Sequence, residues 1–158
     1  MFIEYDGTSY HGFQIQPNDV TIQEELEKAL NKIVHKKIRL EFAGRTDSGV
    51  HALAQVVAFD VDESAQIHTY VNGMNHYLPE DISVKCCHKV SDDFDPRRHA
   101  VSRHYRYSLL LDTSRSPLTR RYLYRITDCI DIDSMKSASQ IMLGTHDFKF
   151  FSTASKDQ

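Results

Sequence analysis

Residues 38–61 read IRLEFAGRTDSGVHALAQVVAFDV. Ile38, Leu40 and Phe42 alternate with charged residues, the period-2 signature of a half-buried strand. Val57, Phe59 and Val61 alternate in the same way and mark a second strand. Between them lies Gly44-Arg45-Thr46-Asp47-Ser48-Gly49-Val50-His51, a loop in which two glycines frame an arginine and an aspartate. Solubility gives a surface loop little reason to place these groups so. A carboxylate that must be kept charged and aimed gives one.

Helical and extended patterns surround this stretch. Phe2–Tyr5 reads as a short strand, and residues 6–18 as a long loop containing Gly7, Gly12 and Pro17. Thr21-Ile22-Gln23-Glu24 has the form of a capping box, in which hydroxyl and carboxylate satisfy orphan amides reciprocally. It predicts a helix to about Val34, with Ile22, Leu26, Ala29, Leu30 and Ile33 on one apolar stripe. A second helix is predicted over Ser64–Tyr77, ended by Leu78-Pro79, and then a strand through Ile82, Val84 and Cys86. Val101–Leu111 reads as a longer strand with Tyr122–Ile126 as its partner. A last helix is predicted over Asp133–Leu143, closed by Gly144. This order predicts an α+β fold, with helices packed on one face of a mainly antiparallel sheet.

A chain of 158 residues buries one good core, so one domain is the default expectation. Its 41% hydrophobic and 26% charged content is ordinary for a globular domain. No apolar run approaches the roughly 20 residues that span a bilayer. Glu4 and Asp6 interrupt any apolar leader, so no membrane role is expected. Cys86, Cys87 and Cys129 are an odd count with two adjacent, which suggests no disulfide framework and favours a reducing cytoplasm. The net charge of −3 is unevenly spread. Arg97 to Arg125 holds eight arginines, no lysine and the single acid Asp112, a charge of +7 against −10 elsewhere. Such a segment suits local phosphate binding within an acidic protein, and equally a solvated arginine-rich hairpin.

Two constellations bear on chemistry. Arg45 and Asp47, two apart in an extended segment, project to the same side. A nearby guanidinium favours the charged form of a partly buried carboxylate. Gly44 and Gly49 permit backbone angles and close approaches that other residues resist. An ionised aspartate so held attacks electrophilic carbon; the plainer alternative is a buried ion pair that pins a turn. Further on, Arg103-His104-Tyr105-Arg106-Tyr107 interleaves bases and aromatics. In a strand, Arg103, Tyr105 and Tyr107 share one side, as suits stacking on a nucleobase near phosphates, or ordinary strand packing. Cys86-Cys87-His88 does not read as a metal site, because adjacent cysteines in a strand face opposite ways.

These residues together resemble the tRNA pseudouridine synthases that act on the anticodon arm. The Gly44–His51 stretch is similar to their active-site motif. Glu4-Tyr5-Asp6-Gly7-Thr8 and His11-Gly12-Phe13-Gln14 resemble their opening strand and loop, with Phe13 where tryptophan or tyrosine is common. Residues 21–30 are similar to the first helix. Asn75 and Leu78-Pro79-Glu80-Asp81-Ile82 match the turn before a core strand. Phe94 and Arg97 fit a Phe-x-x-Arg element, and Arg103, Tyr105, Arg106 and Tyr107 the strand that supplies a substrate-contacting tyrosine.

The resemblance implies a ferredoxin-like or RRM-like domain and isomerisation of uridine to pseudouridine at tRNA positions 38–40. In it Asp47 is the nucleophile, Arg45 holds Asp47 and helps extrude the nucleotide, and Tyr105 stacks on the uracil. Arg97, Arg103 and Arg106 then guide the RNA backbone, and no cofactor or metal is needed. It implies a homodimeric full-length cytoplasmic enzyme with the tRNA anticodon arm as its partner. Residues 1–158 correspond to the N-terminal domain, with the C-terminal domain expected beyond them. An alternative expectation is a half-enzyme that binds RNA without catalysis.

Overall fold

A computed structural model describes residues 1–61 and 66–152. The chain forms two compact units, residues 1–105 and the residues from Arg106 onward, where size alone suggested one.

In the first unit the order is β1 (Phe2–Tyr5), α1 (Ile22–Val34), β2 (Glu41–Phe42), β3 (Ala52–Ala58), α2 (Ile67–Tyr77) and β4 (Ile82–Cys86). The strands form one antiparallel sheet in the order β2-β3-β1-β4. This is the β-α-β-β-α-β ferredoxin-like arrangement. Ile3 pairs with Gln55 on one side and Val84 on the other, so β1 is a central strand. α1 and α2 pack on each other, and α2 packs on β4.

α1 forms where its cap and stripe predict. The Thr21 hydroxyl accepts the Glu24 amide, and His35 closes the helix in the left-handed conformation at φ 54°. The Glu24 carboxylate reaches Lys28 Nζ at 2.9 Å. Ile22, Leu26 and Leu30 are fully buried against Ile3, Phe13, Val57 and Met74. Each such side chain contributes about 1.5–3 kcal/mol by leaving water.

β2 is shorter than the alternation of Ile38, Leu40 and Phe42 predicts. Side chains of α1 take the amides instead: Asn31 Oδ1 accepts Ile38 N–H at 2.8 Å, and Glu27 Oε1 accepts Leu40 N–H at 3.0 Å. Ile38 and Leu40 are buried, as predicted, without being strand residues. β3 begins at Ala52, well before Val57. The predicted helix start at Ser64 lies outside the described residues; α2 runs from Ile67.

The second unit contains β5 (Leu109–Leu111), β6 (Tyr124–Ile126) and α3 (Ile132–Ile141). β5 and β6 pair in parallel, against the antiparallel expectation. Residues 101–108 form no strand, so alternation there does not set which way Arg103, Tyr105 and Tyr107 point. Asp131 caps α3 through the Ser134 amide, and the helix ends at Ile141 with Met142 as its C-cap, before Gly144. α3 buries none of its residues.

Candidate active site

Backbone contacts from the 5–13 segment seat the Gly44–His51 loop, which bridges β2 and β3. Phe13 N–H donates to Thr46 C=O at 3.0 Å. The Tyr5 hydroxyl lies 2.8 Å from Thr46 Oγ1. Tyr10 C=O accepts both Gly49 N–H at 3.3 Å and the Ser48 hydroxyl at 3.2 Å. Val50 N–H closes a turn onto Asp47 C=O at 3.1 Å, with Gly49 at φ +77° as the third residue of such a turn demands.

Both ends of the loop are held. At the entry, Ala43 N–H donates to Val56 C=O at 2.9 Å, and Gln55 Nε2 donates to Gly44 C=O at 2.6 Å. At the exit, His51 Nδ1 accepts Gly7 N–H at 3.1 Å and lies 3.0 Å from Asp6 Oδ1. That carboxylate oxygen also accepts Thr8 N–H at 3.0 Å. The opening loop and the motif loop are therefore one assembly, although more than thirty residues separate them in the chain.

Of the two motif glycines only Gly49 is required, and two glycines outside the motif are required as well. Gly12 has φ +89°, and a Cβ there would lie 2.8 Å from Thr46 O. A Cβ at Gly7 would run into Val50 C=O. Around Gly44 there is open space. Gly49 is required by its φ alone.

Arg45 and Asp47 are exposed on the clamped backbone, and Ser48 is exposed as well although its hydroxyl turns back to Tyr10 C=O. Among the described residues, Arg45 and Asp47 form no ion pair with each other. Among the described residues the arginine-held carboxylate that the spacing predicts is not formed, and both side chains are exposed. What the arrangement provides is a fixed backbone on which an exposed carboxylate and an exposed guanidinium lie two residues apart.

Tyr10 and Tyr5 are the buried supports. The Tyr10 hydroxyl donates to Asp81 Oδ1, and burial, then this bond, pushes its phenol well above the usual tyrosine range. Burial likewise raises Tyr5. Asp6 N–H donates to Asp81 C=O at 2.9 Å, so the turn before β4 supports the same assembly.

The remaining predicted residues divide. Arg97 begins a turn whose amides are capped by Asp95 Oδ1, with Arg97 N at 2.7 Å and Arg98 N at 2.9 Å; the Arg97 side chain is exposed. Tyr105 is 87% exposed, so its ring is not strand packing. Arg103 Nη2 donates to Ala43 C=O and to Arg97 C=O, each at 3.0 Å. Arg106 belongs to the second unit, where it is exposed. Tyr107 in that unit faces Tyr124, with ring centroids 6.2 Å apart. Among the described residues, no three His, Cys, Asp or Glu side chains are grouped to hold a metal ion.

Sequence reasoning missed Tyr10, His51, Gln55 and the buried pair Gln23–Glu27. Gln23 Oε1 accepts Ile15 N–H at 3.1 Å, and its Nε2 donates to Glu27 Oε1 at 2.7 Å. The glutamine sits in the capping-box string, where its polarity reads as exposure.

Residues 1–97 match a family model described as tRNA pseudouridine synthase. Three relatives carry the name tRNA pseudouridine synthase A. That of Geobacter sp. strain M21 is 44% identical over 151 residues, 96% of this chain and 61% of its own length. That of Citrifermentans bemidjiense is 43% identical over 151 residues, 96% and 60%. That of Methylobacterium nodulans is 41% identical over 155 residues, 98% and 61%. The chain thus spans about three-fifths of the length of the curated relatives it matches. The matched residues contain the whole clamped loop and its supports from β1 to β4, and the chain belongs to the tRNA pseudouridine synthase family.

Proposed function

We propose that this chain is the aspartate-bearing part of an enzyme that converts uridine to pseudouridine in the anticodon arm of tRNA, at positions 38–40. The observation that carries the reading is the Asp47 loop, an exposed carboxylate on a backbone fixed at its entry, centre and exit. The names of the relatives support the substrate class.

Chemically, Asp47 forms or triggers the intermediate in which the uridine C1′–N1 bond breaks. The base turns, C1′ bonds to C5, the C5 hydrogen leaves as a proton, and N1 ends bearing one. The product is an isomer, with no net oxidation or hydrolysis. Arg45 beside Asp47 helps draw out the nucleotide, whose unstacking costs about a few kcal/mol. The exposed Tyr105 ring gives the extruded uracil a face to stack on, a contribution of about 1–3 kcal/mol. Arg97 and Arg106 supply cations for the RNA backbone. The full-length enzyme is read as a homodimer, and the three free cysteines suit a reducing cytoplasm.

Tritium release from C5-tritiated uridine in an anticodon-arm RNA tests this. The chain is expected to release tritium and Asp47→Ala to abolish release; release retained by that variant overturns the nucleophile assignment. The exposure of Asp47 favours a second reading, in which this chain alone holds RNA without turnover because its carboxylate stands open to water. It predicts salt-sensitive binding that survives Asp47→Ala. No binding at low salt would discard it.

A further inference from the structure

We propose that Arg103 is a positioning residue rather than an RNA-backbone contact. It braces the entry of the Asp47 loop and thereby orients Tyr105, two residues further on. A guanidinium Nη2 carries two hydrogens. Both are spent here: one on Ala43 C=O and one on Arg97 C=O, each at 3.0 Å. Ala43 is the residue immediately before Gly44. Its own N–H is held by Val56, and the next carbonyl by Gln55. Arg103 therefore completes the set of bonds that fixes where the loop leaves β2.

The same two bonds tie the loop to a second piece of chain. Residues 101–107 have no strand ladder to hold them. The Arg97 carbonyl belongs to the turn that Asp95 caps, so Arg103 joins that turn to the loop entry. A planar fork with fixed donor directions does this at lower entropic cost than a flexible ammonium. Tyr105 is 87% exposed, and among the described residues the neighbouring His104 bonds only to Ser102, so the placement of Tyr105 is inherited from Arg103, whose bonds reach the loop entry and the 95–98 turn. Only this orienting role rests on the uridine-binding reading; the brace itself does not.

Amide hydrogen exchange on the 158-residue chain tests the brace directly. In Arg103→Gln, the Ala43 amide is expected to exchange roughly two- to tenfold faster, the effect of one or two lost hydrogen bonds. Leu30 in α1 should be unchanged. Unchanged exchange at Ala43, or an equal rise at Leu30, overturns the brace.

Binding to an anticodon stem-loop and to the same RNA with abasic sites in place of its uridines tests the orienting role. The variant is expected to lose roughly fivefold or more of its preference for the uridine RNA. Its slope of log affinity against log salt should match that of the unmodified chain. A slope reduced by about one phosphate makes Arg103 a backbone contact and overturns the proposal. Equal weakening for both RNAs makes it merely structural and also overturns it. If the unmodified chain binds neither RNA, the uridine-binding reading fails, and exchange at Ala43 alone decides the brace.

Discussion

At Gly12 the backbone has φ +89°, and the space a Cβ would occupy is 2.8 Å from Thr46 O. Gly12→Ala therefore meets both a strained backbone and a carbonyl that Phe13 N–H has drawn in. A loss of about 1–3 kcal/mol is expected, read as a lower urea midpoint. Gly44→Ala, with open space around it, should change stability by less than about 0.5 kcal/mol by the same measurement. Tyr10 gives a pH test. Its pKa is raised on folding above the ordinary tyrosine value of 10.0, so its stabilising contribution is complete below about pH 10. Above that the unfolded chain ionises first and stability falls. Urea midpoints from pH 8 to 11 should decline, and Tyr10→Phe should flatten the decline. An equal slope in that variant would remove Tyr10 as the cause. The spacing of Arg45 and Asp47 was legible in the string. Their exposure was not, since a spacing of two says that the side chains share a side and not whether that side meets the core or solvent.

Among the elements, α1 shows how a helix serves the sheet beside it. Its apolar stripe buries the core, and its polar residues Glu27 and Asn31 take the amides of Leu40 and Ile38. The alternation of residues 38–42 was read as a strand. The burial it signals is real, but the hydrogen bonds go to side chains, which no hydrophobic pattern encodes. Glu27→Leu should cost about 1–3 kcal/mol, because it leaves Leu40 N–H buried without an acceptor. Glu27→Gln keeps a carbonyl oxygen for that amide and should cost clearly less. Chemical denaturation of the two variants checks the order. A similar loss in both would point to the Arg39 ion pair, at 3.6 Å, as the larger contribution.

On the scale of the whole molecule, the two units differ in what they bury. Among the described residues the first contains the buried apolar core, while α3 in the second buries no residue. Local stability follows buried apolar contact, so α1 amides should exchange slowest, and those of α3 orders of magnitude faster. Exchange read by mass spectrometry checks this, and equal protection of α1 and α3 would refute it. The sequence by itself determined the existence and type of α1, α2, β1 and β4, the α+β class, the family, and which loop carries the aspartate. Those follow from periodicity, caps and a motif, which are local properties of the string. Tertiary structure alone decided which glycines are indispensable, that Tyr10, His51 and Gln55 hold the loop, and that Arg103 donates to its entry. It also decided the parallel pairing of β5 with β6. Apart from Gly49, which its φ alone requires, each of these is a contact to a backbone group from a residue distant in sequence, and a backbone amide or carbonyl looks the same in every residue until the fold brings a partner to it.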